Sequence, residues 1–202
     1  MGYQRKDAHY RRAKAAGYRA RSAYKLAELD DRFGLLKPAA RVADLGAWPG
    51  GWLQVAAERV GTDGRVVGVD LEPIEPLAIA NVTCIRGDLR DSATIGQVVQ
   101  ALAGPASTVL CDAAPKLTGV RATDDARCEA LLESVLDALP LLLVPGGSLL
   151  AKVFMGPGHQ ALMARLRGVF RTIKTTRPDS SRRGSSELYV VGRDFRPDPT
   201  CG

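Results

Sequence analysis

Lys152 stands in Leu149-Leu150-Ala151-Lys152-Val153-Phe154, a strand-like run that is otherwise apolar. An ammonium group is costly to bury there unless it is paired or put to use. The chemistry open to such a residue is proton transfer, because a buried amine that is neutral can act as a base. Its structural alternative is a lysine on an edge strand whose head reaches water. Three more charged residues sit at turning points of the chain. Asp112 follows an apolar run in Cys111-Asp112-Ala113-Ala114-Pro115-Lys116, Glu187 opens Glu187-Leu188-Tyr189, and Lys25 closes a basic stretch in Arg21-Ser22-Ala23-Tyr24-Lys25-Leu26. Singly, each has an ordinary reading: a helix cap, a solvated strand end, and one more surface cation.

A second constellation surrounds Asp44-Leu45-Gly46-Ala47-Trp48-Pro49-Gly50-Gly51-Trp52, which ends one apolar run and opens a helical one. Glycines at such a turn let the backbone pass close to a ligand. Here they occupy Gly46, Gly50 and Gly51, a spacing that does not fit the Gly-x-Gly-x-x-Gly dinucleotide fingerprint, and no Gly-Lys-Ser/Thr follows. A pyrophosphate-binding NAD site and a P-loop are therefore both disfavoured, and with them a nucleotide-dependent oxidoreductase. Val69-Asp70 closes the next strand-like run and sets a carboxylate within reach of ribose hydroxyls. Gly87-Asp88 follows the third run in the same topological position. The combination suits an adenosine ligand without phosphates, which is what S-adenosylmethionine presents. Its plain alternative is a strand-to-helix turn.

The elements that must position these residues alternate. Short β-type runs at 41–45, 65–70, 82–86, 108–112, 148–154, 171–176 and 188–192 are separated by helical patterns at about 51–60, 92–103, 123–143 and 158–169. Such alternation predicts an α/β fold with a doubly wound, mostly parallel sheet. The third helix has the clearest apolar stripe, Leu131, Leu132, Val135, Leu136 and Leu139, and Pro145-Gly146-Gly147 makes the turn into the next strand. No strong helical pattern separates the last two runs, so an antiparallel final hairpin is expected.

Charge is unevenly placed. The chain carries 28 Lys and Arg against 22 Asp and Glu, a net charge of +6. Residues 1–25 hold eight basic residues against Asp7 alone, a net +7, which leaves the remainder at −1. A basic arm over 1–25, a single domain over 26–197 and a frayed tail over 198–202 are expected. Four of the five tyrosines, Tyr3, Tyr10, Tyr18 and Tyr24, lie among the arm's basic residues. Cations that bind phosphate without sequence preference, together with rings that stack on unpaired bases, suit structured RNA. Arg11, Arg12, Lys14, Arg19 and Arg21 are the arm's RNA-binding candidates, and Arg182 and Arg183 form a second cluster just before Glu187. The alternative is a solvated basic helix whose tyrosines dock on the core.

Cys84, Cys111, Cys128 and Cys201 are too far apart for a Cys-x-x-Cys pair and lie away from His9 and His159, so neither a zinc site nor a disulfide framework is expected. Cys84 and Cys111 read as reduced core thiols of a cytoplasmic protein. The N-terminus has no apolar signal-peptide core and no apolar stretch is long enough for a membrane span. With no heptad pattern or second apolar face, a monomer is expected.

The segments 21–26, 44–52, 87–91, 112–119, 151–154, 177–182 and 187–191 resemble the FtsJ-type (RlmE) family of ribosomal RNA 2′-O-ribose methyltransferases, over nearly the whole chain from about Gly17 to Pro197. The resemblance implies the seven-stranded methyltransferase variant of the doubly wound (Rossmann-like) fold, with S-adenosylmethionine as methyl donor and S-adenosylhomocysteine as product. It implies a Lys-Asp-Lys-Glu catalytic set, which falls on Lys25, Asp112, Lys152 and Glu187, and no metal. The family's cofactor contacts fall on Gly50, Trp52, Asp70, Asp88 and Asp112, beside Gly46 of the same loop. The implied substrate is a uridine ribose in the peptidyl-transferase region of large-subunit ribosomal RNA, within the assembled 50S subunit. Lys152 is the candidate base: burial and cationic neighbours oppose its charge, while Asp112 and Glu187 favour it and hold it in place. Two positions depart from the family pattern: Trp48 stands where Ala is usual, and Lys116 and Thr118 stand where Asn and Ser are common. Competing expectations are a 2′-O-methyltransferase acting on tRNA or another RNA, and a non-catalytic RNA-binding or ribosome-assembly protein of the same fold.

Overall fold

A computed structural model describes residues 17–115, 118–180 and 187–197. Seven strands form one sheet: β1 (Arg41–Leu45), β2 (Arg65–Asp70), β3 (Val82–Arg86), β4 (Ala106–Cys111), β5 (Leu143–Phe154), β6 (Phe170–Thr176) and β7 (Glu187–Phe195). Among the described residues five helices accompany them: α1 (Ser22–Phe33), α2 (Gly51–Val60), α3 (Ser92–Ala101), α4 (Arg121–Leu142) and α5 (His159–Val169). The strand order is β3-β2-β1-β4-β5-β7-β6. The first five strands pair in parallel, whereas β7 runs antiparallel to both β5 and β6. The expected α/β sheet and antiparallel final hairpin are thus present, and β7 inserts between β5 and β6, which leaves β6 as the edge strand.

The central strands are apolar on both faces because both faces are covered. On one side, α3, α4 and α5 pack Val98, Leu132, Val135, Leu139 and Leu166 onto Val109, Leu149, Ala151, Val153 and Val190. On the other, α1 and α2 pack Leu26, Leu29, Trp52 and Leu53 onto Val42, Leu110, Leu150, Tyr189 and Val191. The edge strand β6 turns Arg171 and Lys174 outward, charges that discourage pairing with another sheet.

Helix α1 is an element that the run of helical patterns did not single out. Its buried Ala23, Lys25, Leu26, Leu29 and Asp30 repeat at helical spacing, and Gly34 in the left-handed region ends it. Asp30 then takes the backbone N–H groups of Leu35 and Leu36, both at 2.8 Å. The helix crosses the boundary expected between residues 25 and 26: the end of the basic segment is part of the core. The Pro145-Gly146-Gly147 turn bulges out of β5, since Leu143 pairs with Ala106 and Ser148 with Thr108. Cys111 is buried and Cys84 and Cys128 are partly buried, all as free thiols, whereas Cys201 lies outside the described residues. No described helix is long and apolar enough to cross a membrane.

Candidate active site

The carboxyl ends of β1, β2 and β4 and the β5–β7 pair meet at one end of the sheet. In the antiparallel β5–β7 register, Lys152 faces Tyr189 and Phe154 faces Glu187. Because side chains alternate along a strand, Lys152, Phe154, Glu187 and Tyr189 share one face. That is the face covered by α1, which delivers Lys25 from its second turn.

The four sequence candidates converge into one chain of contacts. Lys152 Nζ donates to the Asp112 carbonyl oxygen at 2.7 Å and lies 3.1 Å from Asp112 Oδ1. Tyr189 donates its hydroxyl to the same Oδ1 at 2.9 Å. Lys25 Nζ lies 3.4 Å from that hydroxyl and 2.8 Å from Glu187 Oε2. The lysine side chains are 8% (Lys152) and 9% (Lys25) exposed, the carboxylates more so. Each buried cation therefore has a carboxylate partner, which offsets part of the cost of burying it. The site is two ion pairs joined by one phenol. Lys152 is not an edge-strand lysine reaching for water.

Tyr189 was not among the candidates. Its sequence signal was present, a tyrosine two residues after Glu187 and so on the same strand face, but an aromatic in an apolar strand reads first as core. Burial, and then the charge of Asp112, pushes the Tyr189 phenol far above its ordinary range. It stays protonated and acts as a donor.

The glycine turn lies beside this chain. A Cβ on Gly46 would come within 2.5 Å of Ala113 Cα, and its φ of +80° already favours glycine. Gly46 therefore lets the turn after β1 lie directly against the segment that carries Asp112. Trp52 is 3% exposed; its indole N–H donates to the Ser22 carbonyl at 2.8 Å and its ring lies 6.1 Å from that of Tyr189. It joins the glycine turn, the start of α1 and the lysine site. Asp70 accepts from the Trp48 and Glu72 backbone N–H groups, both at 2.9 Å. Asp88 is held by the Arg90 guanidinium, which lowers its carboxyl below the ordinary range. Trp48 itself is 57% exposed, so the large ring points outward and does not crowd the turn.

Asp44 was also missed. It is fully buried in β1, and neither carboxylate oxygen has a hydrogen-bond partner among the described residues. Burial, then the charges of Asp112 and Asp70, push its carboxyl well above the ordinary range. A charged residue inside Val42-Ala43-Asp44-Leu45 was the available signal. Burial of this kind, without a partner, favours the protonated carboxyl.

Of the RNA-binding candidates, Arg11, Arg12, Lys14, Arg182 and Arg183 lie outside the described residues, as does Lys116. Arg21 closes the turn before α1, and Arg19 is spent on backbone carbonyls. Thr118 binds Asp124 at the head of α4. Among the described residues no group of three or more His, Cys, Asp or Glu is arranged to hold a metal ion.

Comparison with known proteins gives a consistent result. The chain is 44% identical over 191 residues to ribosomal RNA large subunit methyltransferase E of Methanobrevibacter smithii, covering 95% of this chain and 91% of the relative. It is 44% identical to the protein of that name from Azoarcus, covering 94% and 92%. Among solved structures, a putative ribosomal RNA methyltransferase from Plasmodium falciparum superposes with a TM-score of 0.75 at 28% identity, covering 88% of this chain and 98% of that one. Fibrillarin from Aeropyrum pernix, crystallised with natively bound S-adenosyl-L-methionine, shares the fold with a TM-score of 0.61 at 18% identity, covering 85% of this chain and 76% of that one. The sheet is thus of the seven-stranded methyltransferase type. The FtsJ-like methyltransferase profile matches residues 18–195, and the strand order, the glycine turn and the two lysine–carboxylate pairs accord with it: the chain belongs to that family.

Proposed function

We propose that this protein transfers a methyl group from S-adenosylmethionine to the 2′-hydroxyl of a uridine ribose in large-subunit ribosomal RNA, within the assembled 50S subunit. The relatives' names support ribosomal RNA as the substrate. The observation that carries the chemistry is the contact chain Lys152–Asp112–Tyr189–Lys25–Glu187 set against the glycine turn.

The residues present fit the methyl donor. Gly46, Gly50 and Trp52 form the turn, Asp70 and Asp88 stand at the next two strand ends, and the unpartnered carboxyl of Asp44 lies within electrostatic reach of Asp70 and Asp112. This acidic surrounding matches a ligand with an ammonium and a sulfonium group. Bound S-adenosylmethionine supplies an electrophilic methyl group on a cationic sulfur and leaves as S-adenosylhomocysteine. The protein must then align a ribose hydroxyl with that methyl group and take its proton. Lys152 is the base in its neutral-amine form: Nζ first gives up a proton to solvent, and the free amine then takes the hydroxyl proton as the 2′-oxygen forms its new bond to carbon and the carbon–sulfur bond breaks. Asp112 holds Lys152 through two oxygens, and Glu187 holds Lys25. Lys25 supplies a positive charge for the developing alkoxide.

The test is methyl transfer from labelled S-adenosylmethionine to isolated large subunits, naked ribosomal RNA and transfer RNA, followed by mapping of the modified nucleotide. Label on the 2′-oxygen of one uridine, in the assembled subunit, is expected. Label on a base sinks the mechanism, and label on transfer RNA alone establishes the alternative substrate. Binding of RNA with no transfer to any of the three establishes the non-catalytic reading.

A further inference from the structure

Arg19 reads from sequence as one more cation of an RNA-binding arm, yet its side chain is turned inward. Nη1 donates to the Glu75 carbonyl and lies 3.4 Å from the Pro49 carbonyl, and Nη2 donates to the Pro76 carbonyl at 2.7 Å. Its backbone N–H donates to Gln54 Oε1 at 2.8 Å, and Gln54 Nε2 returns to the Gly17 carbonyl at 2.9 Å. Gly50, at φ +107°, leaves room for this arrangement: a Cβ there would meet Arg19 Cδ at 3.3 Å and Leu77 Cδ1 at 3.4 Å. One residue thus ties three segments together, its side chain joining the turn after β1 to the connection after β2 and its backbone N–H holding the first turns of α2.

That connection needs such a tie. Residues 71–81 contain no helix or strand, so their carbonyl oxygens have no ladder to satisfy them and their path must be set from outside. Ile74, Leu77 and Ile79 are only partly buried against the α1–α2 core. A guanidinium can bridge two successive carbonyls with separate nitrogens, which an ammonium cannot do with fixed geometry.

We infer that Arg19 is a positioning residue of the cofactor site, and that Gly17–Ser22 is a strap fixing the back of that site rather than the end of an RNA-binding arm. The inference rests on the reading that Gly50, Trp52 and Asp70 hold S-adenosylmethionine. The three segments joined by Arg19 are those that present these residues. Loosening them costs ligand affinity even though Arg19 is assigned no ligand contact.

The test is calorimetric binding of S-adenosylhomocysteine to the full chain and to its Arg19→Ala and Arg19→Lys variants. Affinity of the same proteins for large-subunit ribosomal RNA is measured in parallel across a salt series. Arg19→Ala is expected to raise Kd for S-adenosylhomocysteine about tenfold, with Arg19→Lys in between, while the slope of RNA affinity against salt is unchanged. The opposite pattern, unchanged S-adenosylhomocysteine affinity in both variants with a salt slope shallower by about one, overturns the strap and restores a phosphate contact. If Arg19→Ala fails to fold, Arg19→Lys carries the comparison. Failure of the unmutated chain to bind S-adenosylhomocysteine overturns the cofactor assignment itself and the strap's purpose with it, which separates the two readings.

Discussion

Two ion pairs meet at one hydroxyl in the centre of the site, and the pairs differ from the hydroxyl in what they must do. Removing the Tyr189 hydroxyl leaves Lys152 on Asp112 and Lys25 on Glu187. Tyr189→Phe is therefore expected to lower single-turnover transfer less than about fivefold, against a loss of at least about a hundredfold for Lys152→Ala. If Lys152→Ala keeps near-normal turnover with ligand still bound, Lys152 is not the base. Because its phenol is pushed so far up, Tyr189 contributes no limb to a pH–rate profile between pH 6 and about pH 10. Asp44 carries the opposite lesson in stability. Its raised carboxyl keeps its proton in the folded chain after the unfolded chain has lost it. The stability associated with this group therefore falls as pH rises from about 4 through the raised value. Asp44→Asn abolishes that titration. In thermal melts without ligand it is expected to raise Tm by about 3 °C at pH 7.5 and to change little near pH 4. A pH-independent difference would show that the Asp44 proton is not involved.

At the scale of elements, α1 does more than fill the sheet face. Lys25 touches the start of β7, and one turn later Glu28 accepts from the backbone N–H groups of Asp179 and Ser180, at 2.7 and 3.1 Å, and from the Ser180 hydroxyl at 2.9 Å. Arg32 holds Glu28 at 2.9 Å and Thr176 at 3.0 Å. Burial tends to raise the Glu28 carboxyl, but these hydrogen bonds and the Arg32 charge outweigh it and hold it below the ordinary range. This helix thus anchors the connection leaving β6 as well as the residue at which β7 begins. Glu28→Ala is expected to raise KM for RNA about fivefold at nearly constant kcat, with S-adenosylhomocysteine affinity unchanged. A fall in kcat with KM constant would place Glu28 in the chemical step instead.

For the whole molecule, the division between arm and domain moves. The +7 of residues 1–25 does not belong to one arm: Arg19 is bound to the protein's own carbonyls and Lys25 to Glu187. Deleting residues 1–16 is expected to weaken RNA binding and flatten its salt dependence while sparing S-adenosylhomocysteine affinity. Deleting residues 1–20 is expected to reduce both, since it also removes Gly17 and Arg19. Equal cofactor affinity in the two truncations would contradict the strap.

Much of this was legible in the chain itself. The alternation of apolar runs with helical patterns, the glycine turn and acids at successive strand ends specify a doubly wound sheet with its ligand end, because period and strand-end chemistry are local properties. Lys152 was conspicuous for the same reason: a charge inside an apolar strand is visible without coordinates. What local pattern does not contain is pairing across long separations. Lys25 and Glu187 are 162 residues apart, and Tyr189 and Asp112 are 77 apart. Only the antiparallel insertion of β7 beside β5 puts Tyr189 opposite Lys152. The missed helix α1 has the same origin, since its apolar stripe is interrupted by a lysine that is buried only because Glu187 meets it. Sequence determined which residues could carry charge into the interior. Tertiary structure decided which charges meet there, and so which cations, Arg19 and Lys25 among them, are held by the protein itself and are not left to meet RNA.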